Sequence, residues 1–299
     1  ARAYYDAGMS YYPKIVVGIP FTPANGQKIL VDENYNFEQC ASLLIQKLME
    51  FGKENKISSI HFLFITEKEK NLLKNFNFLE RLTHQYHWHN RGYDNFDDFL
   101  GDLRSGKRKQ IKKERKYLNL NNVETEVITK DNISRKDIDS IWEFYVDTNS
   151  KKWGNAYLNR SFFEIIFEVF KKRTVLIIAK ENNTRVGGTV NFFKNTKLYG
   201  RYWGCNRNIQ FLHFECCYYK LIEFSIKNKI EIFEAGAQGE HKFLRGFSAV
   251  PIISSHFLFH KGAYSVISDF LNKEKLFTQD MISRYNNQSP LKHLYGNQH

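Results

Sequence analysis

The apolar positions of this chain recur at two spacings, and the alternation between them lays out its elements. Ile15–Ile19 is a short β-branched run closed by Pro20-Phe21-Thr22-Pro23, which predicts a strand ending in a rigid turn. Phe37, Cys40, Ala41, Leu44, Leu48 and Phe51 recur at helical spacing and predict an amphipathic helix. Ser59–Ile65 reads as a nearly continuous apolar strand and Glu67–Lys74 as a short helix. His84–Asn90 alternates, so Tyr86 and Trp88 take one face of a strand and His87 and His89 the other. Asp94–Leu100 predicts a further short helix.

Residues 104–116 break the pattern. Eight cations (Arg104, Lys107, Arg108, Lys109, Lys112, Lys113, Arg115, Lys116) face one acid, Glu114, and Ile111, Leu118 and Leu120 offer only a thin apolar stripe. An exposed basic helix ending at Asn119–Asn122 is expected here. Val123–Ile128 then predicts a strand. Ile138, Ile141, Trp142 and Tyr145 mark one helix, and Phe162, Ile165, Ile166 and Val169 mark another. Three strands follow (Thr174–Lys180, Val186–Phe193, Leu198–Cys205), joined at Asn182-Asn183 and Asn195-Thr196, turns suited to left-handed backbone. Phe214, Cys217, Tyr218, Leu221 and Ser225 share a face of a helix ending near Asn228. A strand from Ile230 into Glu234, a glycine-rich bend, a strand over Pro251–Phe259 and a helix over Tyr264–Tyr285 complete an α/β chain with a mixed sheet and helices on both sides.

The net charge of +12 is spread along a Lys-rich chain, so apart from 104–116 it points to no particular partner. Cys40, Cys205, Cys216 and Cys217 show neither a C-x-x-C pair nor a disulfide spacing, which predicts a reducing, cytoplasmic compartment. No apolar run is long enough for a transmembrane segment.

Chemistry concentrates on the bend, Phe233-Glu234-Ala235-Gly236-Ala237-Gln238-Gly239-Glu240-His241-Lys242 running on to Arg245-Gly246-Phe247. Three glycines allow a hard turn, and carboxylates, an imidazole, an ammonium and a guanidinium at a strand's end suit positioning and proton transfer. Glu234 is the expected general base, with Glu240 and His241 as further proton-transfer candidates. Lys242, Arg245 and Gln238 are expected to hold substrate. Each also has a structural reading: an ion pair for Glu234, and a solvated turn for the cations. Glu215 and His213 on the long helix before the bend, Arg201, Tyr202 and Trp203 on the strand before that helix, and Lys152 and Trp153 on a loop are expected to line the substrate cleft. Arg108, Lys109, Lys112 and Lys113 are expected to contact nucleic acid, tRNA in particular, against the alternative of a solvated face. His84, His87 and His89 lack a further ligand at metal spacing, so no metal site is assigned.

Several stretches together resemble the FemAB-like subgroup of the GNAT acyltransferase fold. They are Tyr199-Gly200-Arg201-Tyr202-Trp203-Gly204-Cys205, Phe211-Leu212-His213-Phe214-Glu215-Cys216-Cys217-Tyr218-Tyr219, the bend itself and Tyr86-His87-Trp88-His89-Asn90-Arg91-Gly92-Tyr93. The resemblance implies a tandem GNAT-like chain: residues 1–103 as the remainder of a first half lacking its N-terminal elements, 104–122 as a basic linker, and 123–299 as a second half carrying the site. It implies an N-acyltransferase that moves an acyl or aminoacyl group from acyl-CoA or aminoacyl-tRNA onto an amine, with a peptidoglycan precursor as the family's acceptor and no tightly bound cofactor. Asn206–Phe211 holds no glycine where acetyl-CoA enzymes of this fold carry a Gly-rich pyrophosphate loop, which weighs against acetyl-CoA. The absence of a Ser or Cys nucleophile elbow favours direct attack by the acceptor amine. The rival reading is a non-catalytic RNA- or glycan-binding protein on the same fold.

Overall fold

The computed structural model describes residues 4, 6, 8 and 10–292 except 237 and 238, with the side chains of 131, 152 and 153 also excepted. In chain order the elements are β1 (Lys14–Val17), α1 (Phe37–Glu54), β2 (Ser59–Ile65), α2 (Glu67–Lys74), β3 (Leu79–His89), α3 (Phe96–Asp102), α4 (Ser105–Leu120), β4 (Val123–Thr129), α5 (Arg135–Trp153), α6 (Arg160–Val169), β5 (Thr174–Glu181), β6 (Thr184–Lys194), β7 (Lys197–Cys205), a composite helix α7 over 212–227, β8 (Ile232–Glu234), β9 (Ser248–Leu258) and α8 (Lys261–Asn287). Helix α7 begins with an α-turn, Leu212–Phe214, passes through a π-helical stretch, Glu215–Tyr219, and ends as α-helix over Lys220–Lys227.

Contacts divide the chain into two compact units, one of residues 1–85 and 250–284 and one of residues 86–249 with 285–299. The boundary expected from sequence at 103 and the boundary set by packing therefore differ. Helix α4, expected as an exposed linker over 104–122, lies within the second unit, and its Ile111, Glu114 and Leu118 are buried.

In the first unit, β1 pairs parallel with β2 from Lys14↔Ser59 to Val17↔Phe62, and β2 pairs antiparallel with β9. The core gathers Ala41 and Ile45 of α1, Ile60, Phe62 and Ile65 of β2, and Leu73, Phe78, Leu82 and Ile253. Helix α1 turns inward a stripe that only partly matches the predicted one: Ala41 is buried and Phe37 and Leu48 pack on the core as expected, but Leu44 and Phe51 are exposed and Ile45 and Gly52 are buried in their place. Gly52 is the cause. A Cβ there would sit 2.6 Å from the Phe259 ring, so the helix packs through its glycine and rotates its longer side chains outward. Glu69 of α2 is fully buried yet saturated. Its Oε1 accepts from Lys28 N at 2.5 Å and Ile29 N at 2.7 Å, and its Oε2 from Thr66 N and Thr66 Oγ1, both at 2.9 Å. Thr66 answers as N-cap, completing a capping box.

In the second unit, β4, β5, β6 and β7 form an antiparallel ladder, β7 pairs parallel with β8, and β8 pairs antiparallel with the end of β3. The expected turns are present, with Asn182, Asn183 and Asn195 all at positive φ. Helices α5 and α6 cover one face through Ile141, Tyr145, Phe163 and Phe167. Glycine lets α5 approach closely: a Cβ on Gly204 of β7 would lie 2.2 Å from Phe144 O. Helix α6 repeats the offset of α1, burying Phe163 and Phe167 and exposing Ile165 and Val169, because its apolar residues run round most of the helix. In α7 the π-helical stretch adds a residue to the turn and rotates the buried face, so Glu215, Cys216 and Tyr219 point inward beside Tyr218 and Leu221. Among the described residues no helix is long and apolar enough to cross a membrane.

Candidate active site

The parallel ladder between β7 and β8 is three residue pairs long, Lys197↔Ile232, Leu198↔Phe233 and Tyr199↔Glu234. β8 ends there, while β7 continues to Cys205. Beyond Glu234 the chain turns off through Gly236 at φ +84°, and Gly239 at φ +108° leads into a 3₁₀ helix, Glu240–Arg245, closed by Gly246 at φ +85°. A Cβ on Gly239 would lie 2.5 Å from the His241 ring, so the glycine is required by both its φ and its neighbour.

Glu234 is 3% exposed. In the β3–β8 ladder His87 lies directly opposite it, and His87 Nε2 is 3.9 Å from Glu234 Oε2. Lys197 Nζ is 3.7 Å from Oε1. Burial lowers the His87 imidazole to about 3, helped by His89, Lys197 and Lys242, so it is neutral at ordinary pH. Tyr199, paired with Glu234 along β7, is pushed up to about 12 by burial and by that carboxylate. His87, Lys197 and Tyr199 were missed by the sequence reading. The alternation of His84–Asn90 gave His87 its face but not its cross-strand partner.

Lys242 is buried, and its Nζ donates to Gly236 O at 2.8 Å. Burial brings its ammonium down to about 8, opposed by Cys217. His241 shares a 2.8 Å hydrogen bond between its Nε2 and Tyr218 Oη. Burial lowers its imidazole, and Arg245 and Lys242 add to this. Its ring lies 5.8 Å from that of His213, which packs edge-on against Trp203 at 5.5 Å. His241, His213 and Trp203 thus form one ring cluster, and Glu234 and Lys242 both lie beside His87.

Other expected site residues are held elsewhere. Glu240 is exposed and accepts from Tyr285 Oη at 2.8 Å. Arg245 is 4% exposed and engaged on every side. Its Nε donates to Tyr219 Oη at 2.8 Å, its Nη1 to His241 O at 3.0 Å, its Nη2 to both oxygens of Glu114 at 3.1 and 3.2 Å, and its guanidinium stacks 3.4 Å from the centre of the Phe214 ring. Glu215 takes a two-pronged bond from Arg115, 3.0 Å from Nε and 2.9 Å from Nη2, and burial raises its carboxyl against the pull of that guanidinium. Tyr202 turns to the opposite face of β7 from Trp203, into the Tyr145 and Phe163 rings, with Arg201 5.2 Å over its own ring. On α4, Lys109, Lys112 and Lys113 are exposed, Arg108 is half-buried, and Lys112 lies 3.4 Å from Asp97. Gln238 and the side chains of Lys152 and Trp153 lie outside the described residues.

A family model described as FemAB-like, peptidoglycan biosynthesis/recognition, matches residues 1–293. No curated protein sequence matches the chain. Among solved structures, FemX is 12% identical over 84% of this chain and 85% of its own, with a TM-score of 0.55. L-PGS from Bacillus licheniformis is 8% identical over 77% of this chain and 78% of its own, with a TM-score of 0.54. The C-terminal domain of a putative lysylphosphatidylglycerol synthetase from Agrobacterium fabrum is 8% identical over 79% and 77%, with a TM-score of 0.56. At these identities the likeness is one of fold, a mixed α/β one.

Proposed function

The chain belongs to the FemAB-like family, and from that premise we propose that it is an aminoacyl- or acyltransferase whose reaction takes place between Glu234 and Lys242. One observation carries the reading. A buried carboxylate and a buried ammonium of lowered proton affinity converge on the neutral His87, at the carboxyl end of a parallel strand pair. Open α/β sheets take their ligands at that end of their strands. A purely structural ion pair would bring the two groups into contact. Here Lys242 is bonded to the Gly236 carbonyl instead.

The chemistry assigned is direct transfer. The acceptor amine attacks the donor carbonyl, its C–N bond forms, and Glu234 takes the proton the amine sheds. The bond from the carbonyl carbon to the leaving group then breaks. Lys242, protonated below about pH 8, donates to the developing oxyanion or to the departing group. Neutral His87 and Lys197 hold Glu234 in place. The donor is an acyl-CoA or an aminoacyl-tRNA, and the exposed cations of α4 support a phosphate-bearing donor. The family's description supports a peptidoglycan precursor as the amine-bearing acceptor.

The test is transfer of a radiolabelled acyl group from acyl-CoA or aminoacyl-tRNA to amine-bearing peptidoglycan precursors, comparing the native chain with Glu234→Gln. Loss of turnover by about 10²–10⁴-fold in a variant that melts like the parent is expected. Transfer at the parental rate by that variant removes Glu234 from the mechanism.

A further inference from the structure

Arg245 looks like a substrate clamp in the sequence, yet each of its three nitrogens donates inside the fold. What they are used for is specific. Nη1 holds the carbonyl of His241, the residue before Lys242. Nε and Nη2 tie that turn to Tyr219 on the π-helical stretch of α7 and to Glu114 on α4. Glu114 is the single acid of a strongly cationic helix, and it is 3% exposed. It also accepts from Gln110 Nε2 at 2.8 Å and takes a short hydrogen bond from Tyr219 Oη. A surface helix has no need of so complete a buried network, and burying a charge pair costs heavily unless every partner is met.

We infer that Glu114 and Arg245 are positioning residues, which fix the Glu240–Arg245 turn so that Lys242 is held buried against the Gly236 carbonyl at the reaction centre. The inference rests on the reading of Lys242 given above. Neither residue touches substrate. Their effect passes through the His241 carbonyl to the lysine. Around Lys242 stand Cys217 from α7, His87 from β3 with Glu234 of β8 beside it, and His241 of its own turn, and among the described residues no carboxylate is ion-paired with the ammonium. Position therefore depends on the backbone bond to Gly236, and so on the turn that Arg245 braces.

The second guanidinium of α4 provides the control. Arg115 makes an equally elaborate fork, to Glu215 and Glu223, and among the described residues bonds to none of the bend. The experiment measures the pH dependence of Lys242 modification by acetic anhydride, read by peptide mass spectrometry on the folded full chain, in the parent, Arg245→Met, Glu114→Gln with Arg245→Met, and Arg115→Gln. The parent's midpoint should lie near 8, in line with the buried ammonium. Freed to water, the lysine should titrate about one to two units higher in both Arg245 variants. Arg115→Gln should leave the midpoint where it is. The double variant removes both charges together, so it reports even where Arg245→Met alone does not fold. A midpoint unmoved in the folded double variant, or moved equally by Arg115→Gln, overturns the inference. The readout is the protein's own amine, so an absence of acyl transfer in the parent would count against the proposed function and leave this result standing.

Discussion

Each unit buries a carboxylate almost completely, and the two are treated in opposite ways. Glu69, in the first unit, spends both oxygens on backbone amides and a hydroxyl within 2.5–2.9 Å, and what it stabilises is the entry to α2. Glu234, in the second, faces an imidazole at 3.9 Å and an ammonium at 3.7 Å, two ionisable side chains rather than the amides that surround Glu69. Burial alone therefore says little about function. The identity of the partners separates a carboxylate committed to the fold from one in the setting that the proposed proton transfer requires.

The comparison predicts that the two glutamates fail differently when altered. Glu234→Gln should abolish transfer while leaving the melting temperature within a few degrees of the parent. Glu69→Ala should strand the amides of Lys28, Ile29 and Thr66 in the interior, at about 1–3 kcal/mol each. A fall in melting temperature of roughly 10 °C follows for a chain of this size, with per-molecule activity retained in the folded fraction at lower temperature. Differential scanning calorimetry alongside the transfer assay separates the outcomes. Equal destabilisation by both substitutions would erase the distinction.

The sequence made this contrast only half visible. The order of elements, the Asn turns and the bend were legible because periodicity and turn chemistry are local, and the bend's three glycines do all adopt positive φ. The faces of α1, α6 and α7 were legible in part: Ala41, Tyr218, Leu221 and Ser225 are buried as expected, whereas Leu44, Phe51, Ile165 and Val169 are exposed and Glu215, Cys216 and Tyr219 are buried unforeseen. In each case the cause was outside the helix's own pattern: a glycine packed against Phe259, an apolar surface all round, and a π-helical turn. The partners of the charged residues were not legible at all. Arg245 finds Glu114 across 131 positions and His87 finds Glu234 only through strand register, and no spacing rule encodes either.

A second contrast concerns histidines. In the first unit His61 and His256 face each other across β2 and β9, with Nδ1 atoms 2.7 Å apart. Burial lowers them to about 4 and about 3, and Lys14 and Arg81 nearby add to this. Because the folded state holds these rings neutral, the unfolded chain binds more protons between pH 6.5 and 4. Stability is therefore lost as pH falls through that window and regained above it. His256 alone would account for up to about 3 kcal/mol at pH 4. Replacing both rings, as His61→Gln with His256→Gln, should flatten the pH dependence of urea unfolding measured on the first unit's tyrosines. His87 in the second unit has the same sign of dependence, so His87→Gln should flatten unfolding there as well but also impair transfer. If the His61 and His256 variant lost transfer equally, the assignment of chemistry to the second unit alone would fall.

The smallest expected effect lies on α4, where committed and uncommitted charges share one helix. Glu114 and Arg115 are held by buried partners, whereas Lys109, Lys112 and Lys113 project outward, with Asp97 at 3.4 Å from Lys112 the only ion-pair partner among the described residues. Exposed cations of this kind contribute little to stability, and Lys→Ala at all three should move unfolding by less than about 0.5 kcal/mol. Their contribution should appear with a polyanion. If they meet the phosphates of a tRNA donor, the slope of log affinity against log salt should fall by about 2–3 in the triple variant, because each neutralised phosphate contributes 0.7–0.9. Fluorescence anisotropy of labelled tRNA between 50 and 200 mM salt reads this directly. A slope equal to the parent's would leave the lysines as a solvated face and move the donor's binding elsewhere, while Glu114 and Arg115, which point inward, would keep their roles unchanged.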